Sequence, residues 1–162
     1  MYIHWCYNTF IYGGFIGMKN ILVVTGHGKY ATSIKSTLEV LAGYNDEVKY
    51  IDFTQEDTDV TLKEKMQIVI DGNIGIGILF VCDLLGGTPF KSAVELSIIN
   101  ENIEVVAGCN VGSILETTFQ LENMAIYELA DLIVESSIKS TVRFKNNIFQ
   151  TKVEDLDSDL GI

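Results

Sequence analysis

From residue 20 onward, short apolar runs alternate with longer stretches in which apolar residues recur with a helical period. The apolar runs are rich in β-branched residues and have the length of buried strands. An alternation of this kind is typical of βαβ units, in which helices connect the parallel strands of one sheet. The predicted strands cover residues 21–25, 48–53, 76–82 and 103–107.

The first two stretches between strands predict helices that each bury one face. In the first helix, the residues at the spacing of a single buried stripe are Ile34, Thr37, Leu38 and Leu41, followed by Gly43 at the carboxyl end. The second helix is preceded by side chains that can cap its amino terminus, namely Asp57, Thr58 and Asp59. Its buried stripe is predicted to be Leu62, Met66 and Val69, and Gly72 ends it.

The third helix has the strongest start signal in the chain. Thr88 is expected to cap it, and Pro89, the only proline, suits the first helical position. Its inward positions are predicted to be Phe90, Ala93, Val94 and Ser97. Further helices are expected over about 113–122 and 126–139, and the brief alternation in 141–144 predicts an edge strand.

Right-handed crossovers between these strands give a doubly wound α/β sheet, mostly parallel, with helices on both faces in a three-layer α/β/α arrangement. In a 2-1-3-4 strand order, the ligand site lies between strands one and three, beyond their carboxyl ends. His27 follows the first strand and Asp83 follows the third. We therefore expect these two side chains to face one another across this crevice.

Chain length and net charge indicate the number of domains and disfavour some kinds of partner. A chain of 162 residues predicts one domain, which we place at 18–145, with an extension over 1–17 and an acidic tail over 146–162. Eleven basic residues against twenty-two acidic ones give a net charge of -11, which disfavours nucleic acid and anionic membranes as partners. Residues 1–17 carry no Lys or Arg, so they predict neither a secretory signal nor a membrane-spanning helix.

The cysteines indicate neither a disulfide framework nor a zinc site. Cys6, Cys82 and Cys109 are odd in number and have no paired short spacing, as expected in a reducing compartment. Cys82 ends an apolar run and is interpreted as a small buried side chain. A nucleophilic role is disfavoured because the neighbouring Asp83 opposes thiolate formation.

The chemistry that needs an imidazole falls to His27, because the only other histidine, His4, lies in a stretch without periodic pattern. An aspartate that accepts from one ring nitrogen fixes the tautomer and leaves a lone pair on the other nitrogen. Several nearby groups suit a phosphoryl group, because glycines allow close approach and helix amino termini favour anions. They are the N–H groups of Gly86 and Gly87, the Thr88 hydroxyl, and the helix ends after Gly28 and at Pro89.

Other site chemistries fit the sequence less well. One histidine and one aspartate are too few ligands for a metal, and no cofactor is expected. No G-x-S-x-G nucleophile elbow is present. The segment 26–31 matches only the first two glycines of a dinucleotide-binding G-x-G-x-x-G, which is a weak match.

Three segments together resemble a known family. They are Gly26-His27-Gly28, the run Asp83-Leu84-Leu85-Gly86-Gly87-Thr88-Pro89-Phe90, and Val106-Ala107-Gly108-Cys109-Asn110. In this combination the chain is similar, over about 18–145, to the enzyme IIA component of the mannose-type sugar phosphotransferase system. Leu84 and Leu85 replace a polar and aromatic pair found in some members.

The resemblance implies a cytoplasmic phosphotransferase with a phosphohistidine intermediate. His27 would accept a phosphoryl group from the histidine phosphocarrier protein and donate it to a IIB component during sugar uptake. Asp83 would be its hydrogen-bonding partner, and Thr88 with the glycine loop would contact the phosphoryl group. The resemblance also implies a homodimer with an exchanged carboxyl-terminal strand, for which residues 141–144 are the candidate.

Two alternatives remain open from the sequence. One is the phosphoryl donor subunit of a dihydroxyacetone kinase, against which the Gly-Gly-Thr-Pro-Phe loop argues. The other is a non-catalytic, flavodoxin-like module that regulates or binds a ligand. A receiver domain is disfavoured because an acidic pair after the first strand is missing.

Overall fold

The computed structural model describes residues 19–144, so the predicted extension over 1–17 and acidic tail over 146–162 lie outside the described residues. Within this range, strands and helices alternate as the apolar pattern predicts, and two helices follow the last strand. In chain order the elements are β1 (Asn20–His27), α1 (Tyr30–Ala42), β2 (Val48–Phe53), α2 (Asp59–Asp71), β3 (Gly77–Cys82), α3 (Thr88–Ser97), β4 (Ile103–Ala107), α4 (Val111–Thr118) and α5 (Ile126–Ser140).

The strands form one parallel sheet in the order β2-β1-β3-β4, which confirms the predicted α/β fold and strand order. β1 pairs with β2 on one side and with β3 on the other, so the strand order reverses beside β1. The pairing with β2 continues to the last residue of β1, where His27 lies opposite Phe53. This register brings the carboxyl ends of β1, β2 and β3 to one edge of the sheet.

Both faces of the sheet are covered by helices, because side chains alternate along each strand. On one face, Leu22 and Val24 of β1 pack in a cluster with buried residues of α1, α4 and α5. On the other face, Ile21 and Val23 pack in a second cluster with buried residues of α2 and α3. The two clusters hold the sheet between two layers of helices, which confirms the predicted three-layer arrangement. Full burial of one such side chain contributes about 1.5–3 kcal/mol to stability.

The buried face of α1 differs from the prediction. Ala31 and Leu38 are buried and Ile34 packs against the same cluster, whereas Thr37 and Leu41 are exposed. The stripe therefore begins one turn earlier than expected. Each helical residue turns the side chain by about 100°, so a face centred on Leu38 directs Thr37 away from the sheet.

The helix starts follow sequence rules only in part. Thr58 caps α2 as predicted, accepting the N–H of Thr61 in a reciprocal capping box. For α3 the prediction is wrong, because Gly87 is the cap and Thr88 is already helical. α4 begins at Val111 instead of residue 113, because the Asn110 side chain accepts the N–H of Ser113 and caps it.

The predicted edge strand over 141–144 is not formed in the single chain. These residues have no regular structure and are exposed, including Val142 and Phe144. Among the described residues, β4 pairs only with β3 and so has one unpaired edge. Exchange of a strand between two copies stays a prediction. No helix between residues 19 and 144 combines the length and apolarity needed to span a membrane.

Candidate active site

His27 and Asp83 lie side by side at the carboxyl edge of the sheet, as the topology predicts. His27 is the last residue of β1, and Asp83 directly follows β3. The imidazole Nδ1 lies 2.8 Å from Oδ2 of Asp83. The main-chain N–H of His27 donates to the same oxygen, also at 2.8 Å. One carboxylate oxygen therefore fixes both the backbone and the ring of the histidine.

The other oxygen of Asp83 holds the turn that follows β3, which we call the β3–α3 turn (residues 83–87). Oδ1 accepts the N–H of Leu84 at 2.8 Å, and the N–H of Gly87 donates to the Leu84 carbonyl at 3.2 Å. Gly86 has a φ of +75°, which suits the third position of a type II turn and is strained for other residues. The turn is thus closed by its own backbone and tied to the carboxylate that orients His27.

Two more contacts limit the motion of the imidazole. The Phe53 ring meets it edge to face, with centroids 5.6 Å apart and planes at 72°. On another side lies Gly87, where a Cβ atom would stand only 2.8 Å from Cε1 of His27. This close approach explains why a glycine takes the cap position of α3 that the sequence assigned to Thr88. The ring is still 42% exposed, and Nε2 has no hydrogen-bond partner within residues 19–144.

Tyr30 and Asp83 both lie close to the Cα atom of Gly26, the residue that precedes His27. A Cβ atom on Gly26 would lie 2.5 Å from Cδ1 of Tyr30 and 2.8 Å from Cγ of Asp83, so this position needs a glycine. Partial burial raises the pKa of the Tyr30 phenol, and the negative charge of Asp83 adds to the effect. The tyrosine therefore stays neutral beside the carboxylate.

The two described cysteines are buried and free, as predicted for Cys82. Burial, with Asp83 nearby, raises the pKa of the Cys82 thiol to about 12. Burial likewise raises the pKa of Cys109. Neither thiol supplies a thiolate near neutral pH, so both are unsuited to nucleophilic catalysis.

The groups expected to meet a phosphoryl group are not equally available. The N–H of Gly28 donates to the Phe53 carbonyl at 2.8 Å, and that of Gly87 closes the β3–α3 turn. The N–H groups of Gly86 and Thr88 have no acceptor within residues 19–144. Thr88 and the buried Pro89 begin α3, whose amino terminus therefore faces the rim of the site.

A carboxylate accepts hydrogen bonds from one residue in the first turn of α1. Asp52 of β2 accepts both the N–H of Thr32 at 3.0 Å and its hydroxyl at 2.8 Å. The Asp52 charge meets the positive end of the helix dipole, which stabilises the contact. The expectation that the amino termini of both α1 and α3 face a phosphoryl group stays a prediction.

Asp52 and Phe53 are the residues that the sequence interpretation missed. Both lie at the end of β2, which neighbours β1 in the parallel sheet. The strand order alone places this end beside His27, so the signal was present in the topology. A terminal Phe, however, is more often part of the core, and Phe53 also packs against the buried cluster on its face of the sheet.

The arrangement suits nucleophilic chemistry by Nε2. An imidazole whose Nδ1–H is held by a carboxylate presents the Nε2 lone pair to solvent. No three His, Cys, Asp or Glu side chains of the described range converge in a way that could hold a metal ion. The His–Asp pair with a free helix end nearby can accept an electrophile that carries negative charge, such as a phosphoryl group.

Comparisons with known proteins point in one direction. The family model of the PTS system fructose IIA component matches residues 21–134. The PTS mannose-specific EIIAB component of Escherichia coli K12 is 32% identical over 121 residues, 74% of this chain but only 38% of that protein. The PTS sorbose-specific EIIA component of Lacticaseibacillus casei is 26% identical, over 70% of this chain and 83% of its own. A crystal structure of the phosphotransferase system component EIIA from Streptococcus agalactiae matches with a TM-score of 0.71 and 30% identity, covering 76% of this chain and 96% of that one.

Proposed function

Because the chain belongs to the family of fructose- and mannose-type IIA components of the sugar phosphotransferase system, whose members are phosphotransferases, we propose that it carries a phosphoryl group on His27. The family membership confirms the resemblance seen in the sequence. In the proposed reaction, His27 accepts the group from the histidine phosphocarrier protein and passes it to a IIB component during sugar uptake. The observation that carries the proposal is the 2.8 Å contact from Nδ1 of His27 to Asp83, on an imidazole that is 42% exposed.

The chemistry is a transfer between two nitrogen atoms. Asp83 accepts the Nδ1–H, so the lone pair of Nε2 attacks phosphorus in line with the leaving group. The P–N bond of the donor phosphohistidine breaks as the P–N bond to Nε2 forms. The ring gains positive charge in this step, and the Asp83 carboxylate stabilises it. Transfer to the next component reverses the same steps, with the electron pair returning to Nε2.

The transferred group needs donors for its oxygens, and α3 supplies them in this proposal. The free N–H groups of Gly86 and Thr88, with the Thr88 hydroxyl, are the nearest candidates on the β3–α3 side. Gly28 and Gly87 shape the site, because their N–H groups already donate to backbone carbonyls. Stabilisation by dipoles, with no arginine in either loop, is moderate and suits a group that must be passed on.

The proposal also covers the compartment and the oligomeric state of the chain. We place the chain in the cytoplasm, where the phosphocarrier and the IIB component would meet it in turn. We also propose a homodimer, in which the segment 141–144 of one copy pairs with the free edge of β4 in the other. The exposed Val142 and Phe144 alternate with polar residues and support this pairing.

Labelling with phosphoenolpyruvate, enzyme I and the phosphocarrier protein tests the function. We expect acid-labile radioactive phosphate on the unmodified chain and none on His27→Ala. His4→Ala is the matched control, because it removes the other histidine and should keep the label. Label that persists on His27→Ala would contradict the proposal, and an unlabelled native chain would favour a ligand-binding module.

A further inference from the structure

A groove lined by isoleucines lies at the amino edge of the sheet, opposite the edge that carries His27. It is bounded by the loops that precede β3 and β4, over residues 72–76 and 98–102, and has a volume of about 380 Å³. Its apolar lining consists of Ile70, Ile74, Ile76, Ile78, Ile99 and Ile103. Three of them are buried in its floor, whereas Ile74 and Ile99 on its walls are 87% and 77% exposed. A continuous exposed apolar surface of this kind marks a contact site.

The groove is formed before anything binds in it, because hydrogen bonds hold both loops. The side chain of Asn73 donates to the Val69 carbonyl at the end of α2, and that of Asn100 donates to the Leu96 carbonyl at the end of α3, both at 2.7 Å. Among the residues that line the groove, Glu101 is the only charged one. A preformed apolar groove costs little ordering when it is filled, and it favours an uncharged apolar occupant.

The chain enters the sheet directly beside this groove. The carbonyl of Lys19 accepts the N–H of Gly77 at 3.2 Å, and the two residues before Gly77 line the groove. An extended chain covers about 3.3 Å per residue, so the segment 1–17 can span up to about 55 Å. Every part of the groove is therefore within reach of that segment.

The composition of the segment 1–17 matches the lining of the groove. It contains no Asp, Glu, Lys or Arg, and eleven of its seventeen residues are Met, Cys, Ile, Phe, Tyr or Trp. Leaving these side chains in water is unfavourable. Gly13 and Gly14 allow the main chain to reverse its direction. A short tether also gives an effective concentration of about millimolar, so weak contacts suffice for docking within one chain.

We propose that the segment 1–17 docks in the isoleucine groove of the same chain and places aromatic side chains between Ile74 and Ile99. The segment leaves the sheet at the groove, and both surfaces are apolar and lack basic residues. The docked segment covers side chains that the fold otherwise exposes. The inference is independent of the proposed phosphoryl transfer, because the groove and His27 lie at opposite edges of the sheet.

Trp5, the only tryptophan of the chain, reports on the docking through its fluorescence. In the full chain we expect emission at shorter wavelength than in the chain unfolded by urea. The double variant Ile74→Ser with Ile99→Ser should shift this emission to longer wavelength and raise its quenching by acrylamide about twofold. Ile74→Val with Ile99→Val keeps both walls apolar and should retain the native emission. Labelling of His27 by phosphoramidate, a small donor that releases ammonia, should keep its native rate in all these variants.

Val60→Ser with Ile68→Ser is the matched control, because both side chains are exposed on α2 and neither lines the groove. It should change neither emission nor quenching. Native emission equal to that of the unfolded chain, or equal shifts in the two serine variants, would overturn the proposal. A short-wavelength emission that is lost on dilution would assign the groove to a second copy instead. Emission that shortens only when phosphatidylcholine vesicles are added would assign the segment to a lipid surface.

Discussion

At the scale of single residues, His27 is held from three directions, and each contact restricts a different motion of its ring. Asp83 fixes Nδ1, Phe53 meets the ring edge to face, and Gly87 leaves room for it on a third side. The contact with Asp83 follows from the sequence, because His27 ends β1 and Asp83 directly follows β3, the neighbouring strand. The contacts with Phe53 and Gly87 depend on how the His27 side chain is oriented, and the sequence pattern does not predict that orientation.

Phe53 should act as a positioning residue for the imidazole. We expect Phe53→Leu to lower the rate of His27 labelling by phosphoramidate about fivefold, because the ring then samples orientations outside the productive one. Phe53→Tyr keeps the aromatic contact and should restore the rate. The NMR chemical shifts of the imidazole, measured at one fixed pH, should change in Phe53→Leu.

Phe90→Leu is the matched control, since Phe90 packs against the same buried cluster as Phe53. It should leave both the rate and the imidazole shifts unchanged. Equal effects of Phe53→Leu and Phe90→Leu would show that Phe53 only supports the core.

At the scale of elements, four helices of the described range start at the carboxyl edge of the sheet, and their starts differ in what stabilises them. Asp52 from a neighbouring strand accepts from Thr32 in the first turn of α1, and Gly87 is the cap residue of α3. The side chains of Thr58 and Asn110 cap α2 and α4. The sequence predicts the cap of α2 because it is local. It fails for α3 because the His27 ring, 60 positions earlier in the chain, occupies the space that a Cβ at the cap would need.

The loop between β2 and α2 is held by Asp57, and this contact should make the stability of the chain depend on pH. Lys65 donates to Asp57 at 2.6 Å, and the N–H and hydroxyl of Thr54 both donate at 2.9 Å. The hydrogen bond from Lys65, followed by those from Thr54, holds the pKa of the Asp57 carboxyl well below its usual range. A pKa that is lower in the folded chain stabilises the fold above the unfolded value of about 3.9.

We therefore expect Asp57→Asn to lower Tm by several degrees near pH 7, because the carboxylate contacts are lost. As pH falls below about 4, the native chain begins to lose this contribution too, and the gap between the two Tm values should narrow progressively. Thermal unfolding followed by circular dichroism from pH 7 to pH 3 measures this difference. Asp71→Asn serves as the control for removing a surface charge, and a gap that stays constant over the whole range would contradict the prediction.

At the scale of the whole molecule, the sequence predicts the fold well because two general rules act together. Alternating elements require parallel strands with helical crossovers, and right-handed crossovers place helices on both faces. The site at the reversal beside β1 follows from this topology. These rules do not predict the structure of the segment 141–144, because its proposed partner is a second copy of the chain.

The proposed dimer can be tested by changing this segment. Val142 and Phe144 are 82% and 87% exposed, and they would lie on the same side of an extended strand. We expect the double variant Val142→Asp with Phe144→Asp to convert a dimer into a monomer of 18.0 kDa in sedimentation experiments. Ile74→Asp places a charge on an exposed apolar residue elsewhere and should leave the dimer intact. A native chain that sediments as a monomer would refute the pairing.

The main chain of the β3–α3 turn, and not its side chains, supplies the hydrogen bonds that fix Asp83 and close the turn. Replacing the side chain of Leu84 or Leu85 should therefore keep these hydrogen bonds and change only the exposed surface of the turn. These two positions are thus free to vary in sequence without loss of the contacts that hold the imidazole.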